Sequence, residues 1–314
     1  MKWLAGIAIV LAALAALFWY AVIDASAPAE AEGVVDLAAY RQLVADDAPE
    51  TLPTAVNVEF VGESDAPSFA TQAGAFGGQV TMSYNSFQIV APNGDTIIDG
   101  AVDRETLNEM SQNEGSFDEQ AYGRVLAAVT RASNVMITHE HLDHVMAIAR
   151  HPQPAEIARN LDLTAPQIAG LPEHAPNGQL APEIAGAPQL DLSQPQRIAP
   201  GIVAIAMPGH SPGTILIYAK TAAREYLFIG DIAWVMGSVE NARGRPRFIT
   251  WIMPGVDPDR PAVLRQLRAL HDLAAANPEL VLIPAHDDAY LRGLVASGAL
   301  GEGFAEPQAP SVAE

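Results

Sequence analysis

Apolar and polar positions divide the chain into one long apolar run followed by shorter strand-like and helix-like segments. Residues 3–23 carry no charge. Stretches rich in β-branched and aromatic residues predict strands at 55–62, 78–92, 95–102, 134–138, 202–207, 214–220, 225–230 and 280–286. Two helices are predicted, over 118–132 and from near Pro261, where Asp259 is the candidate N-cap. An Asn-Gly pair in "PNGD", residues 92–95, predicts a hairpin.

These elements predict an α/β (α+β) fold in which two sheets pack together with helices outside. The organisation that follows has three parts. They are an N-terminal membrane segment at 1–23, an Ala-, Pro- and acid-rich tether with at most one short helix at 24–53, and a catalytic domain at 54–314.

The apolar run at the N-terminus is long enough to cross a bilayer, which takes about 20 residues. Lys2 precedes it, and the aromatic cluster Phe18–Tyr20 near its far end is typical of a membrane interface. The positive-inside rule then predicts a single-pass protein with its catalytic domain outside the cytoplasm, in the periplasm. A cleaved signal peptide is the alternative, because "ASA" at 25–27 resembles a cleavage site, and the domain would then be secreted.

Composition excludes several functions. The 314 residues include 17 basic and 37 acidic side chains, a net charge of −20, which disfavours nucleic-acid substrates. There is no cysteine, so a metal must be held by nitrogen and oxygen.

One short stretch concentrates metal-binding chemistry. "THEHLDH", residues 138–144, places three of the eight histidines within six positions. His139 and His141 follow a strand at alternating positions, so both imidazoles can meet one ion. Asp143 and His144 come where the chain turns into a helix and can face a second ion. Zinc accepts such nitrogen and carboxylate ligands.

Three later segments support a metal site over a histidine-rich loop. His210 follows an apolar strand in "MPGHSPGT", Asp231 follows another in "LFIGDIAW", and His286 follows a third in "LVLIPAHDD". Each candidate ligand therefore stands at the carboxyl end of a strand, where loops gather on one edge of a sheet.

Together these motifs, in this order, resemble the metallo-β-lactamase superfamily over roughly residues 54–295. "DTIIDGAVD" is also similar to that family's early strand followed by Asp-Gly. The resemblance implies a four-layer αββα sandwich with a metal pair at one edge. It implies that His139, His141 and His210 bind the first metal, that Asp143, His144 and His286 bind the second, and that Asp231 bridges them.

The resemblance implies a pair of zinc ions, with iron or manganese as alternatives, and a metal pair of this kind implies hydrolysis. A hydroxide shared by two metals is a nucleophile at neutral pH, because coordination lowers the pKa of water from 15.7 to about 7. Asp143 is then also a catalytic candidate, able to pass a proton to the leaving group. The predicted reaction is cleavage of an ester, lactone or similar acyl bond of a small molecule.

The resemblance favours the lactonase and esterase-like branch. True β-lactamases of the superfamily generally lack the bridging aspartate, and only 28 residues follow His286, too few for the helical substrate domain of glyoxalase II. Homoserine lactonases typically place a tyrosine three positions after the bridging aspartate, where this chain has Trp234. That departure leaves the lactone substrate open, and β-lactamase activity remains an alternative.

Candidate substrate contacts are Trp234, Trp251 and His174, from segments that can wall the site. "NARGRPR", 241–247, is interpreted as a solvated loop, with attraction of a carboxylate, a phosphate or anionic lipid heads as the alternative.

Two rivals come from other functional classes. One is a mononuclear-iron oxidoreductase similar to the persulfide dioxygenases, and the other is a membrane-tethered binding protein on a retired enzyme fold. The complete ligand set argues against the second, and metal analysis separates the first.

Overall fold

The computed structural model describes residues 2–305, in which two β-sheets pack face to face and carry helices on their outer faces. Met1 of the predicted membrane segment and residues 306–314 of the predicted catalytic domain lie outside the described residues.

The first sheet is built mainly from the N-terminal half of the chain. Its strands are β1 (Ala55–Pro67), β2 (Gln79–Val90), β3 (Thr96–Ile98), β4 (Ser116–Phe117), β5 (Asn134–Met136) and β11 (Gly301–Glu302). Their order is β11-β1-β2-β3-β5, with β4 paired to β1. The pairs β1–β11 and β3–β5 are parallel, whereas β1–β2 and β2–β3 are antiparallel, so the sheet is mixed.

The second sheet comes from the C-terminal half. Its strands are β6 (Gln196–Ala199), β7 (Ile202–Ala206), β8 (Ile215–Lys220), β9 (Glu225–Gly230) and β10 (Leu280–Pro284). The order is β10-β9-β8-β7-β6, and only the pair β9–β10 is parallel.

The central core lies between the sheets. Alternate residues of a strand point to opposite faces, so each sheet contributes its inward row. Val58 and Phe87 of the first sheet meet Ile217 and Phe228 of the second in one buried cluster. The rings of Phe87 and Phe228 lie 5.3 Å apart, edge to face.

Helices cover both outer faces. The α-helices of residues 2–305 are α1 (Lys2–Phe18), α2 (Leu37–Leu43), α3 (Ser68–Thr71), α4 (Arg104–Met110), α5 (Glu119–Arg131), α6 (Leu142–Ala149), α7 (Pro154–Ile157), α8 (Ala165–Gly170), α9 (Pro182–Ala185), α10 (Met236–Glu240), α11 (Arg247–Ile252), α12 (Arg260–Ala276) and α13 (Asp288–Ala296). Helices α5 and α6 pack on the first sheet, and α12 packs on the second. The predicted helix–sheet–sheet–helix layering is therefore observed.

Local sequence signals mark the element boundaries correctly. Asp118 accepts hydrogen bonds from the first-turn amides of α5, and Asp259 accepts one from Ala262 at the start of α12. Strands β2 and β3 pair in antiparallel register across the predicted Asn-Gly hairpin.

The N-terminal apolar run is helical throughout. Helix α1 has no buried residue and continues as a π-helical segment, Trp19–Ile23. Within residues 2–305, this is the one helix long and apolar enough to cross a membrane, with a mean hydropathy of 2.5. A signal sequence passes the same test.

Part of the segment predicted as a tether packs onto the second sheet. Leu37 and Tyr40 of α2 and the following Val44 are buried in the cluster formed with α12. Arg41 adds an ion pair to Glu225 at the start of β9. These contacts hold the C-terminal part of residues 24–53 against the sandwich through the apolar face of the short helix α2. The boundary at residue 54 stays a prediction.

In both sheets, the carboxyl ends of several strands lie at the same edge of the sandwich. The parallel strands β3 and β5 end there in the first sheet, and β7, β9 and β10 end there in the second. The amide of Ile215 donates to the carbonyl of Thr138, which joins the two sheets at this edge. Loops that follow these five strands therefore converge.

Candidate metal centre

The convergent loops carry all seven residues that the motifs single out. They lie in the loop after β5, at the start of α6, in the β7–β8 loop, directly after β9 and between β10 and α13: His139, His141, Asp143, His144, His210, Asp231 and His286. Ligand atoms of these side chains form two groups, each within 4.8 Å, and both groups include Asp231.

The first group consists of His139, His141, His210 and Asp231. One carboxylate oxygen of Asp231, Oδ2, lies 3.4 Å from His210 Nε2 and 3.7 Å from His139 Nε2. His141 closes the group, with its Nδ1 3.0 Å from His210 Nε2. Three imidazole nitrogens and one carboxylate oxygen thus surround a common point.

The second group consists of Asp143, His144, Asp231 and His286. The other oxygen of Asp231, Oδ1, lies 3.0 Å from His286 Nε2 and 3.4 Å from His144 Nε2. Asp143 faces the same two rings, with its Oδ2 3.3 Å from His286 Nε2. Each oxygen of Asp231 is therefore turned toward a different group, as a bridging ligand requires.

A glycine places Asp231 between the groups. Gly230 ends β9 with φ of 48°, and a Cβ there would lie 2.8 Å from the side chain of Thr138. Only glycine combines this left-handed backbone with such a close approach to the β5 loop. The Gly-Asp pair is thus explained by the approach of the two sheets.

The buried donor atoms fit a metal pair. Among residues 2–305, four buried polar atoms of the centre have no hydrogen-bond partner: Nε2 of His139, His144 and His286, and Oδ1 of Asp231. An unpartnered buried polar atom costs about 1–3 kcal/mol, so four that converge at one place indicate that cations satisfy them. Nitrogen and carboxylate donors in this arrangement suit zinc.

The far ring nitrogens are held by other groups. Nδ1 of His144 lies 3.0 Å from the Asp99 carboxylate, that of His210 lies 2.9 Å from the Asp257 carboxylate, and that of His286 lies 2.9 Å from the carbonyl of Ser83. A proton on Nδ1 leaves Nε2 with a free lone pair directed at the centre. Such outer contacts orient metal-binding histidines in proteins.

Asp257 is itself held by a buried guanidinium. Burial opposes its ionisation, but the ion pair with Arg245 and the hydrogen bond with His210 lower the pKa of Asp257 to about 2. The side chains of Arg245 and Asp257 are both 2% exposed. Asp257 is therefore a permanent anion beside His210.

The charge of the centre is divided between its two halves. Burial and the neighbouring His210 lower the pKa of His141 to about 4, and burial with His144 holds the pKa of His139 well below its usual range. In the second group burial opposes protonation, but Asp99 raises the pKa of His144 and Asp231 raises that of His286. The carboxylates attract positive charge to the position that a second cation would take.

Trp234, predicted as a substrate contact, is tied to the centre. Its indole N–H donates to Asp231 Oδ2 over 2.7 Å. The Arg245 guanidinium lies over its ring, 4.6 Å from the centroid. Trp234 thus fixes the shared carboxylate from one side, a role that sequence reasoning did not assign to it.

The other two predicted substrate contacts have different surroundings. His174 lies half-buried beside the Glu140 carbonyl, and burial lowers its pKa while the nearby Asp143 opposes that shift. It is therefore placed at the border of the centre. Trp251 is 53% exposed and its ring packs on Tyr20 of the N-terminal segment. The structure does not bring Trp251 to the cluster, because α11 turns this side chain outward.

Sequence reasoning missed several supporting residues. Asp99 stands in the Asp-Gly pair of "DTIIDGAVD", so the sequence does carry a signal for it. Asp257 and Arg245 follow no motif, and their part depends on the fold of residues 243–257. The interpretation of "NARGRPR", 241–247, as a solvated loop is wrong for Arg245, whose side chain is fully buried.

Neither a protein-family model nor a curated protein sequence matches the chain. Solved structures do match it. An N-acyl homoserine lactone hydrolase with its product N-hexanoyl-L-homoserine at the catalytic metal centre superimposes with a TM-score of 0.56 and 13% identity, covering 77% of this chain and 96% of that one. A B. thuringiensis AiiA variant with N-decanoyl-L-homoserine at the active site superimposes with a TM-score of 0.55 and 13% identity, covering 77% of this chain and 96% of that one. A probable metal-dependent hydrolase from Staphylococcus aureus superimposes with a TM-score of 0.54 and 14% identity, covering 75% of this chain and 91% of that one.

The chain has the metallo-β-lactamase fold. The fold that the motifs imply is therefore confirmed, and the likeness to the homoserine lactone hydrolases is a likeness of fold. The cluster of seven residues lies at the edge of the αββα sandwich where the loops after β3, β5, β7, β9 and β10 converge.

Proposed function

We propose that this protein is a metal-dependent hydrolase with a dinuclear zinc centre, acting on an ester, lactone or similar acyl bond of a small molecule. The observation that carries the proposal is the position of Asp231, whose two carboxylate oxygens each face one group of imidazoles. Similar solved structures that bind an acyl homoserine, one at its catalytic metal centre and one at its active site, support the same reaction class.

Seven side chains hold the metals in this proposal. His139, His141 and His210 bind the first ion, Asp143, His144 and His286 bind the second, and Asp231 is shared. The metals supply carbonyl polarisation and a nucleophile derived from water at neutral pH. Asp99, Asp257 and Ser83 act indirectly, since they orient the rings.

Asp143 is the proposed catalytic acid and base. It is the most exposed of the carboxylates in the centre, with 14% of its side chain accessible compared with 4% for Asp231. Substrate therefore reaches the Asp143 carboxylate, which can pass a proton to a departing alkoxide. His174, at the border near Asp143, is the proposed substrate contact of the Pro-rich loop.

The two-group arrangement favours this function over the alternatives. A mononuclear-iron oxidoreductase needs one ion, whereas three further side chains and the second oxygen of Asp231 here form a second complete group. The presence of Asp231 favours acyl ester or lactone substrates over β-lactams, in line with the resemblance. Nitrogen and carboxylate donors also accept iron or manganese, and metal analysis decides among the three.

We also propose that α1 anchors the protein in a membrane as a single span. Helix α1 and the π-helical segment after it form a continuous stretch of 22 residues, Lys2–Ile23, and α1 has no buried residue. The placement of Lys2 before the span puts the catalytic domain on the extracytoplasmic side. Cleavage after Ala27 would instead release a secreted enzyme, and the N-terminal sequence of the mature protein distinguishes the two.

The proposal is tested on the full chain purified in detergent. Elemental analysis should give about two zinc per chain, and hydrolysis of short acyl esters or lactones should stop with a chelator and return with zinc. Asp231→Asn should reduce the stoichiometry below two and lower kcat by more than about 100-fold, because loss of an outer contact alone costs 10–100-fold. Asp272→Asn, an exposed aspartate of α12, is the matched control. One iron per chain without hydrolysis would overturn the proposal.

A further inference from the structure

Exposed apolar side chains form a patch beside the domain end of the N-terminal helix. Phe76, Trp251, Ile252 and Met253 are 57%, 53%, 67% and 44% exposed. We call these four residues the apolar rim. Large apolar side chains grouped on a surface mark an interaction site rather than random exposure.

The apolar rim is continuous with the N-terminal helix. The ring of Phe18 stacks on Phe76 with centroids 6.3 Å apart, and Tyr20 packs on Trp251 at the same distance. Phe69 contacts Phe76 from the domain side, with centroids 6.4 Å apart. The apolar surface of the helix therefore extends without interruption onto the domain.

Arginines attach the end of the helix to the domain at this level. Arg247 donates to the carbonyl of Tyr20 and to the Asp24 carboxylate, at 3.4 Å and 3.0 Å, and lies over the Tyr20 ring. Arg243 donates to the carbonyl of Ile23 over 3.4 Å. These bonds use the last carbonyls of the helix, which have no partner within it. The helix is thus fixed to the domain rather than loosely tethered.

The segment that carries the apolar rim also reaches the metal centre. Arg245 pairs with Asp257, which holds His210, and a Cβ on Gly255 would lie 3.7 Å from His141 Nε2. Trp251, Ile252 and Met253 lie between these points in sequence and face outward. One short stretch of chain, residues 245–257, therefore lines the centre on one side and presents three of the four residues of the apolar rim on the other.

We propose that the apolar rim docks on the surface of the lipid bilayer that α1 crosses, and that the centre receives an amphiphilic acyl substrate with a long apolar chain directly from that bilayer. The substrate class rests on the proposed function. A bilayer is the occupant that fits, because aromatic side chains at the end of an apolar span belong at the membrane interface.

Docking is tested by site-specific labelling of the full chain, which has no native cysteine. Ile252→Cys carries an environment-sensitive fluorophore in the apolar rim. Ser133→Cys is the matched control, because Ser133 is exposed and lies before β5, at the opposite end of that strand from His139. Both are reconstituted in phosphatidylcholine–phosphatidylglycerol vesicles containing acyl-chain quenchers. We expect quenching of the label at 252 but not at 133. Equal, weak quenching at both positions would overturn docking.

Substrate delivery is tested with esters and lactones of short, water-soluble and long, vesicle-dissolved acyl chains. The double variant Phe76→Ser with Ile252→Ser should lose about ten-fold or more in kcat/KM on the long substrates, given the apolar area removed, and keep the wild-type rate on the short ones. Leu43→Ser, an exposed leucine on α2, is the control and should change neither rate.

The two proposals fail in different ways. If the wild type cleaves short substrates and the double variant keeps the wild-type ratio of long to short rates, delivery from the bilayer is wrong and the hydrolase stands. If the wild type cleaves neither class, the proposed function is wrong, and the quenching comparison still decides docking.

Discussion

Arg245 and Asp257 form an ion pair from which water is excluded, and this pair contacts His210 of the metal centre. The guanidinium bonds both carboxylate oxygens, and its Nη2 also lies 3.2 Å from His210 Nδ1. A buried arginine is expensive to desolvate, so its presence requires the paired carboxylate. The pair fixes His210 through Asp257 and fixes Trp234 through the stacked guanidinium.

Removing Arg245 should therefore destabilise both the fold and the centre. In Arg245→Met the Asp257 carboxylate is left buried without a counter-charge, and we expect a loss of about 3–5 kcal/mol in the free energy of unfolding. Chemical denaturation measures it, with Arg268→Met as control, because the Arg268–Asp272 pair on α12 is partly solvated and should contribute less than about 1 kcal/mol. Similar losses in the two variants would contradict this role of Arg245.

Metal removal should lower thermal stability. The unpartnered Nε2 atoms of His139, His144 and His286 are satisfied only when cations bind, so the native state alone gains from the metal. At a free metal concentration about 100 times Kd, linkage predicts about 2.7 kcal/mol of stabilisation. Differential scanning calorimetry with and without a chelator checks it. A Tm that does not respond to zinc would show that these atoms bind no metal in the native state.

The hydrogen bond from Trp234 to Asp231 is predicted to raise zinc affinity or kcat, because it holds the shared carboxylate in place. Trp234→Phe removes the N–H donor to Asp231 Oδ2 and keeps an aromatic ring. We expect zinc affinity or kcat to fall about 10–100-fold, the usual effect of losing an outer contact to a ligand. Trp234→Tyr supplies a hydroxyl donor on an aromatic ring and should recover part of the loss. Equal activities of all three proteins would mean that Trp234 only fills space.

The packing of α2 should weaken in acid. Burial alone would raise the pKa of Glu225, but hydrogen bonds from Arg41 and Tyr218 outweigh burial and lower it. A lowered folded-state pKa stabilises the protein above the carboxyl's ordinary value of 4.5, and this stabilisation disappears as the pH falls through the lower folded value. Glu225→Gln should therefore flatten the fall in Tm below pH 4.5.

The control for this titration is Glu279→Gln. Glu279 is the second, 64% exposed partner of Arg41, 3.5 Å from its guanidinium, and is expected to contribute little. If both variants show the wild-type slope of Tm against pH, the Arg41–Glu225 pair does not hold α2 on the sheet.

The sequence by itself determined the features that depend on near neighbours in the chain. The Asn-Gly hairpin, the caps Asp118 and Asp259, and the strand–histidine order around "THEHLDH" are local, because turns, caps and strand ends are set within a few residues. Since several apolar strands each end in one candidate ligand, even the convergence of the centre could be predicted.

The tertiary structure decided what depends on contacts between distant segments. Asp257 and Arg245 became parts of the centre because residues 243–257 fold back onto His210, and no local pattern marks that return. Trp251 turned outward to Tyr20, more than 200 positions away in the chain, and α2 packed on the second sheet through an apolar face only one short helix wide. Spacing predicts which side chains lie on one edge, whereas the orientation of each carboxylate oxygen, such as the two of Asp231, follows from the packing of both sheets.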